Sequence, residues 1–289
     1  MKLKKFTYNE AGVDPKLRFH ASMVTLENED FAPHTHEYSE LVITLSGTGD
    51  HTINSVRSVI QPGDIFVFNG NNHHSFENTH QLTLVNISYD PRIYLRHTAD
   101  LRKLSGFHAL FLIEPHYRAK QNFRSHLRLT AKDLVLTREI ATSLIKEDHE
   151  RFPGFQTMIQ STFLQLVAFL SRKYVQSSPL PLKNSIQRLA SAVASIENKY
   201  SEIITLEQLA RLSHLSKNQF LRVFQETYHT TPMNYLNDLR ISKTCEALRH
   251  SSEKITQIAL DNGFSDSNYF SRIFRKKMGI TPKEYKNRV

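Results

Sequence analysis

The spacing of apolar and polar residues divides the chain into a strand-rich first part and a helical last part. Short apolar runs separated by Gly, Asn and Pro fill residues 17–90, as in ELVITLSG, GDIFVF and LTLVNISY. Runs of this length between turn residues are typical of strands in a small antiparallel barrel or sandwich. Residues 91–130 have no clean period, so the pattern gives no assignment there.

Two helical patterns follow. Residues 131–150 place Leu134, Ile140 and Leu144 near one face, whereas residues 155–176 are apolar on more than one face. We expect the second helix to be buried, and the pair to serve either as a dimer surface or as support for the strands of the same chain. Residues 177–184, SSPLPLKN, predict a domain linker, because Pro cannot continue a helix.

The last part of the chain contains one helix–turn–helix unit twice. Equivalent apolar residues lie at an offset of 49 in the first helices and 50 in the second, as in Leu209 and Ile258, Ala210 and Ala259, Phe220 and Phe270, and Phe224 and Phe274. Thr205 with Gln208 and Ser216 with Gln219 predict capping boxes at the helix starts of the first copy. Gly263 suits a left-handed turn in the second copy, where the first copy has His214.

The second helix of each unit predicts a DNA contact. With the Phe pairs turned inward, these helices expose short hydrogen-bonding side chains, which suit base edges in a major groove, and Lys and Arg, which suit phosphates. The predicted DNA-contacting residues are Lys217, Asn218, Leu221, Arg222, Ser267, Asn268, Ser271, Arg272, Arg275 and Lys276. The alternative is a solvated helix face, and the repetition favours DNA. Residues 232–250 predict a long connecting helix that would set the two units one turn of B-DNA apart, roughly 34 Å.

The charge distribution agrees with a double-stranded DNA partner. The chain has 289 residues and a net charge of +9, and residues 183–289 hold 17 Lys and Arg against 10 Asp and Glu. A basic part attached to a nearly neutral one suggests a polyanion partner for the basic part. The lone cysteine, Cys245, excludes a disulfide framework within the chain, and we expect it to be packed in a core. No apolar run predicts a membrane span or a secretory signal, so we expect a cytoplasmic protein without membrane contact.

Residues 190–289 resemble the DNA-binding domain of the AraC/XylS family of bacterial transcription regulators. The resemblance rests on LEQLARLSHLSKNQFLRVFQETYHTTPMNYLNDLRI and ITQIALDNGFSDSNYFSRIFRKKMGITPKEY. It implies two helix-turn-helix units joined by one long helix. We expect the protein to be a homodimer and an activator that works with RNA polymerase. The resemblance also implies base-facing positions at Asn218, Leu221, Arg222, Ser267, Asn268, Ser271 and Arg272. The first copy departs from the pattern with His214 and His229, where the second has Gly263 and Gly279.

The first part carries a histidine motif. His34-x-His36-x3-Glu40-x6-Gly47 matches the first motif of the cupin barrel, and His74 stands at the spacing of the second. In metal cupins these residues converge on one ion, and imidazoles with one carboxylate suit iron, manganese, nickel or zinc. Sensor domains of AraC-like regulators often keep such residues without a known metal. We therefore assign His34, His36, Glu40 and His74 to a ligand site, with no cofactor and no enzymatic activity, and a metal ion at these residues is the alternative.

Residues 31–89 also look like the sensor half of the L-rhamnose-responsive regulators within that family, which implies a sugar-like effector. The sequence thus predicts an α+β multidomain protein, with a cupin-like β-barrel over 1–130, a helical hairpin over 131–176, a linker over 177–184 and an all-α double helix-turn-helix domain over 185–289. The predicted function is a DNA-binding transcription regulator responding to a small molecule. The alternative is a metal-dependent cupin enzyme, or a metal sensor, fused to a DNA-binding domain.

Overall fold

The computed structural model describes residues 4–54, 56–70, 72–95, 98–116, 127–176, 181–251 and 253–287, with the backbone alone for 181–185. The chain separates into two compact units, residues 1–187 and 188–289. The predicted order of a strand-rich part followed by an all-helical part is confirmed. Of the predicted linker 177–184, residues 177–180 lie outside the described residues and residues 181–184 open a helix. The exact domain boundaries therefore stay a prediction.

Within the described residues, the first unit is built on one eight-stranded sheet in the order β1-β3-β7-β4-β6-β8, with β2 also paired to β7 and β5 to β4. The strands are β1 (Lys4–Phe6), β2 (Phe19–Leu26), β3 (Phe31–His36), β4 (Ser39–Ile53), β5 (Val56–Ile60), β6 (Asp64–Phe68), β7 (His74–Tyr89) and β8 (Leu127–Arg128). The two long strands, β4 and β7, pair along most of their length. Each of them also pairs with two further strands, β4 with β5 and β6, and β7 with β2 and β3.

Over the residues that the structure describes, the sheet is not closed, which departs from the predicted barrel. Register shifts between Thr44 and Asp50 bend β4, so its first half pairs with β6 and its second half with β5. Gly47 lies in this bend with φ +74°, where a Cβ atom would meet the carbonyl oxygen of Gln81 at 2.1 Å. The strands at the ends of the path, β1 and β8, have three and two residues.

Two helices follow the sheet, α1 (Ala131–Glu150) and α2 (Phe155–Gln176), and they pack against each other. Phe163 of α2 is fully buried, and its ring lies 5.6 Å from that of Phe19 and 4.8 Å from that of Tyr89. Asp148 of α1 accepts a hydrogen bond from the backbone N–H of Ala21 in β2. The helical pair therefore supports the strands, as one of the two alternatives expected. Between β7 and β8 lie the short helical segments Pro91–Tyr94, Leu101–Lys103, Ser105–Phe107 and His108–Ile113.

The second unit is all-helical. Its helices are α3 (Pro181–Asn198), which begins before the unit boundary, α4 (Leu206–Leu212), α5 (Lys217–Tyr228), α6 (Pro232–His250), α7 (Ile255–Asp261), α8 (Ser267–Met278) and α9 (Pro282–Lys286). The two helix-turn-helix units are α4–α5 and α7–α8, and α6 connects them. Both predicted capping boxes are present, from Thr205 and from Ser216. No helix of the described residues is long and apolar enough to cross a bilayer.

The repeated phenylalanines form the cores of the two helix-turn-helix units. Phe220, Phe224, Phe270 and Phe274 are buried, with Phe270 and Phe274 in one cluster with residues of α6. Cys245 belongs to this cluster, which confirms that it is a packed core residue. Because α6 contributes to the core of the second helix-turn-helix unit, the connecting helix is part of the packing and not a free spacer.

The turns of the two copies differ for a reason that lies outside the turns. His214 (φ +54°) and Gly263 (φ +88°) both adopt the left-handed conformation. At Gly263, a Cβ atom would lie 2.8 Å from the carbonyl oxygen of Tyr200 and 2.8 Å from Nε of Arg240. Arg240 donates hydrogen bonds to the carbonyl oxygens of Tyr200 (2.7 Å) and Glu202 (2.8 Å). The second copy therefore has no room for a side chain there, whereas His214 in the first is exposed.

Candidate nucleic-acid interface and candidate ligand site

The residues predicted to contact DNA lie on the solvent side of α5 and α8. Leu221 is half-buried, and the other nine of the ten are exposed, while the Phe pairs of the same helices are buried. The two helices have 12 residues each and start from capping residues, Ser216 for α5 and Asp266 for α8. The predicted base-facing residues therefore occupy the first two turns, which is the part of a recognition helix that contacts base edges.

The cations of these helices differ in their neighbours. Lys217 forms an ion pair with Glu207, and Lys277 forms one with Asp238 at 2.5 Å between Nζ and Oδ1. Arg275 and Lys276 form no ion pair with any residue that the structure describes. Both are exposed in the last turns of α8, where a positive charge also stabilises the helix end. Lys217 must leave an exposed ion pair to reach a phosphate, and such a pair is weak.

Sequence reasoning missed two residues beside this surface. The guanidinium carbon of Arg272 lies 5.5 Å from the ring centroid of Tyr269, and the hydroxyl of Tyr269 accepts a hydrogen bond from Nδ2 of Asn237 at 3.0 Å. The i, i+3 spacing of Tyr269 and Arg272 signals their contact within α8. No local pattern signals Asn237, because it belongs to α6.

The predicted ligand residues converge at one end of the sheet. His34 and His36 lie at the end of β3, Glu40 at the start of β4 and His74 at the start of β7, with His34 and His74 directly opposite each other. The two histidines of β3 point to the same face because side chains alternate along a strand. Only two residues separate β3 from β4, and both strands pair with β7, which brings Glu40 beside the histidines. All four side chains are buried.

The distances within this group are short. The Nε2 atoms of His36 and His74 are 3.1 Å apart, and Oε2 of Glu40 lies 3.6 Å from the first and 3.4 Å from the second. A ring nitrogen of His34 completes a triangle of imidazoles whose ligand atoms lie within 4.8 Å of one another. Nδ1 of His34 lies 2.9 Å from the carbonyl oxygen of Ala32, so Nδ1 carries the proton and Nε2 keeps its lone pair.

Burial keeps this group uncharged. Burial, together with the neighbouring His34, lowers the pKa of His36 to about 3, and burial also lowers the pKa of His34. Burial and the surrounding histidines hold the pKa of His74 well below its usual value. Burial raises the pKa of Glu40 to about 8. Three neutral imidazoles and one carboxyl group are therefore available to a ligand.

A fourth histidine, His51, belongs to the same cluster and was not predicted. It is fully buried on β4, its Nε2 lies 3.3 Å from Nδ1 of His74, and its ring stacks on Phe76 at 4.4 Å. His74 in turn stacks on Phe68 at 4.4 Å. Counting alternate residues from Glu40 could not find His51, because the register shifts of β4 lie between the two positions. The only signal is that a His occurs in an apolar strand.

The chain has two helix-turn-helix units whose second helices are exposed and basic. It also has a strand-rich unit with a buried polar cluster. This combination defines a class of ligand-responsive DNA-binding regulators. Comparison with known families agrees. The model for an AraC-like ligand binding domain matches residues 21–147, and the model for a helix-turn-helix domain matches residues 209–288.

Individual relatives match most of the chain. The HTH-type transcriptional activator RhaS of Enterobacter sp. (strain 638) is 30% identical over 254 residues, which cover 88% of this chain and 87% of that protein. RhaS of Escherichia coli O139:H28 (strain E24377A / ETEC) is 29% identical over 259 residues, 90% of this chain and 88% of that protein. A solved AraC-type transcriptional regulator from Chromobacterium violaceum is 31% identical over 35% of this chain and 89% of its own, with a TM-score of 0.33.

The chain belongs to the AraC family of DNA-binding transcription regulators. It combines an AraC-like ligand-binding domain with a helix-turn-helix domain. Its relatives are transcription regulators, which is consistent with the expectation that the chain is not an enzyme. The individual DNA-contacting and ligand-contacting residues stay predictions.

Proposed function

We propose that this protein is a transcription activator that reads one DNA duplex with both helix-turn-helix units and responds to a sugar-like molecule bound by the strand-rich unit. The observation that carries the DNA half is the matched exposure of polar and basic residues on α5 and α8 opposite buried Phe pairs. The relatives named transcriptional activators support the activating role.

The exposed residues divide into two roles. Asn218 and Arg222 of α5, and Asn268 and Arg272 of α8, lie in the early turns and have side chains that bond base edges. Arg275 and Lys276 lie later in α8, where a phosphate contact adds affinity without sequence information. This division predicts different effects of substitution in the two groups.

The test uses the full-length protein. A preferred site is first selected from random double-stranded DNA, and affinity is then measured on that site and on random DNA over a range of salt concentrations. Arg272→Ala should weaken binding to the selected site by about 1–3 kcal/mol and relax base preference at one or two positions. Lys276→Ala, the matched control, should weaken both DNAs alike and reduce the salt slope by about 0.9. Equal loss on both DNAs for Arg272→Ala would contradict a base-reading role.

The proposed effector site consists of His34, His36, Glu40 and His74. Imidazoles and a carboxyl group are donors and acceptors for the hydroxyl groups of a sugar. Candidate sugars should raise the melting temperature of the full-length protein, and Glu40→Gln should abolish that shift. The control is His80→Ala, which changes an exposed His of β7. A shift that survives Glu40→Gln would place the effector elsewhere.

We place the action of the protein in the cytoplasm, where its DNA target lies, and propose that it acts as a homodimer with RNA polymerase. The helical pair α1–α2 supports the dimer, because Val135 and Leu136 of α1 expose 60% and 42% of their surface. Val135→Glu should give monomers in analytical ultracentrifugation, with Arg138→Glu as the control. Unchanged dimers would contradict the proposed dimer surface.

The effector would act on an equilibrium between two states of the protein that differ in DNA binding. Ligand binding could shift this equilibrium by no more than the ligand's difference in affinity for the two states.

A second candidate is a metal ion as the effector, and the geometry of the buried cluster favours it. Two ligand atoms about 2.1 Å from one ion lie about 3.0–3.4 Å apart at octahedral or tetrahedral angles, close to the separations among His36, Glu40 and His74. Nδ1 of His36 and Oε2 of Glu40 have no hydrogen-bond partner among the described residues. Neutral imidazoles with one carboxylate would bind a divalent transition metal, which would supply a positive charge to this buried group.

Metal analysis distinguishes the candidates. Full-length protein is stripped with a chelator and titrated with Co²⁺, whose visible absorption reports imidazole ligation. One equivalent should bind to the wild type and to His80→Ala, and His36→Ala should lose it. Metal-dependent DNA affinity would support a metal sensor, whereas metal binding without an effect on DNA affinity would support the cupin-enzyme alternative. No Co²⁺ spectrum at all would leave the sugar-like effector as the proposal.

A further inference from the structure

Arg272, the residue proposed to read bases in the second helix-turn-helix unit, is held by a chain of contacts that begins inside the domain. Asn237 of α6 is only 9% exposed, and its Nδ2 donates a hydrogen bond to the hydroxyl of Tyr269 at 3.0 Å. The ring of Tyr269 lies under the guanidinium of Arg272, with 5.5 Å from Cζ to the centroid. A buried amide is thus connected to an exposed charge through one aromatic side chain.

This chain of contacts restricts the conformations of Arg272. A free Arg side chain populates many rotamers, and those rotamers must be lost when it binds a base pair. The ring of Tyr269 has two side-chain torsions, and the hydrogen bond at its tip fixes both. A guanidinium attracted to the face of a fixed ring favours the rotamers that keep this contact, about two- to fivefold for an exposed pair. The contact therefore biases Arg272 toward one set of rotamers in the free protein.

Two adjacent residues of α6 contact the first and the last turn of α8. Asp238, the residue after Asn237, forms an ion pair with Lys277 in the last turn of α8. Tyr269 lies in the first turn of α8, and its backbone N–H bonds to the N-cap residue Asp266. Adjacent residues of α6 therefore contact Tyr269 in the first turn of α8 and Lys277 in its last turn.

The first helix-turn-helix unit has no equivalent of this arrangement. The residue aligned with Tyr269 at the offset of 50 is Gln219, and its side chain is used in the capping box with Ser216. Arg222, the counterpart of Arg272, has no ring over its guanidinium among the described residues. The two units, which look equivalent in sequence, thus present their arginines differently.

We propose that Tyr269 is a positioning residue that presents Arg272 to one base pair, and that Asn237 fixes Tyr269 in the required orientation. The proposal rests on the proposed DNA-reading function of α8. It makes the second helix-turn-helix unit the more stringent of the two, because Arg272 has a ring beside its guanidinium and Arg222 has none among the described residues. Tyr269 determines specificity without contacting the base itself.

The test is a double-mutant cycle in the full-length protein. Affinity is measured on the selected DNA site, on the same site with the Arg272-dependent base pair replaced, and on random DNA, for Tyr269→Leu, Arg272→Ala and the double variant. Tyr269→Leu should reduce discrimination at that base pair about two- to fivefold, the range of an exposed contact between a cation and a ring. It should have no further effect when Arg272 is already Ala. Tyr269→Phe, which keeps the ring and loses the bond to Asn237, should give a smaller loss.

The matched control places Tyr269→Leu in an Arg222→Ala background, where the two effects should multiply because Arg222 has no contact with Tyr269. Multiplicative effects with Arg272→Ala as well would overturn the proposal. So would an equal loss on all DNAs together with a lower melting temperature, since that pattern indicates a packing role. If the wild type selects no sequence at all, the proposed function fails before the cycle begins, and that outcome is distinct from a cycle without coupling.

Discussion

Substitution of Gly263 by Ala should destabilise the helical unit, residues 188–289, much more than the same substitution at Gly279. Both glycines have positive φ, +88° and +76°, so both variants carry the cost of a left-handed Ala, about 1–2 kcal/mol. At Gly279, nothing lies within 4 Å of an added Cβ. At Gly263, the added atom would meet the carbonyl oxygen of Tyr200 at 2.8 Å and Nε of Arg240 at 2.8 Å.

The extra cost at Gly263 follows from these contacts. Overpacking of this kind costs about 1–3 kcal/mol, which brings the total for Gly263→Ala to about 2–5 kcal/mol. Replacing Gly by Ala also makes the unfolded chain less flexible, which stabilises the folded state. This contribution is the same for both variants and cancels when their stabilities are compared. For a unit of this size, a loss of 2 kcal/mol corresponds to a fall of at least about 8 °C in melting temperature.

The assay is scanning calorimetry of the full-length protein. The transition that belongs to the second unit is the one that the selected DNA raises, because a ligand stabilises the unit that binds it. Gly279→Ala serves as the control for the backbone conformation. If Gly263→Ala melts no lower than Gly279→Ala, then Tyr200 and Arg240 do not restrict the turn, and the explanation for glycine in the second copy is wrong.

Three further predictions concern stability. Hydrogen bonds from Arg92 and Arg18 outweigh burial and lower the pKa of Asp90 to about 2. Because this pKa is below the unfolded value near 4, the ionised carboxylate stabilises the fold above pH 4, and about 2 kcal/mol of stability should be lost between pH 4 and pH 2. Urea unfolding at several pH values should show this loss in the wild type and not in Asp90→Asn. Ser216→Ala should cost about 1 kcal/mol in urea unfolding through loss of the capping box without changing base preference, and a changed preference would show that Ser216 contacts DNA. Phe163→Ala should cost about 3–5 kcal/mol, whereas Met158→Ala, at a side chain 46% exposed on the same helix, should stay within about 0.5 kcal/mol, and similar losses would show that α2 does not pack as described.

The candidate DNA surface was largely predictable because its signals are local. The 3.6-residue period, the capping residues and the paired Phe positions are all read within one helix and its neighbouring turn. Nine of the ten predicted residues lie exposed on α5 and α8 as the pattern requires. The bond that supports Tyr269 was not predictable, since Asn237 and Tyr269 lie 32 positions apart in different helices.

The candidate ligand site was predictable only in part. His34 and His36 share one face of β3 by strand alternation, and only two residues separate β3 from β4, which carries Glu40. His74 was assigned from the spacing of a known motif, and the pairing of β3 with β7 places it opposite His34. His51 escaped detection, because the bulges of β4 break the alternation that links it to Glu40.

The amino-acid sequence by itself determined the helix-turn-helix repeat, its helix starts and its buried phenylalanines, because these depend on side-chain periodicity and on hydrogen bonds between neighbours in the chain. Only the tertiary structure decided why the second turn needs glycine, which arginine is held by a ring, and where a fourth histidine joins the buried cluster. Those features depend on how distant segments meet, and the register of bent strands and the packing of a connecting helix are set by the fold as a unit.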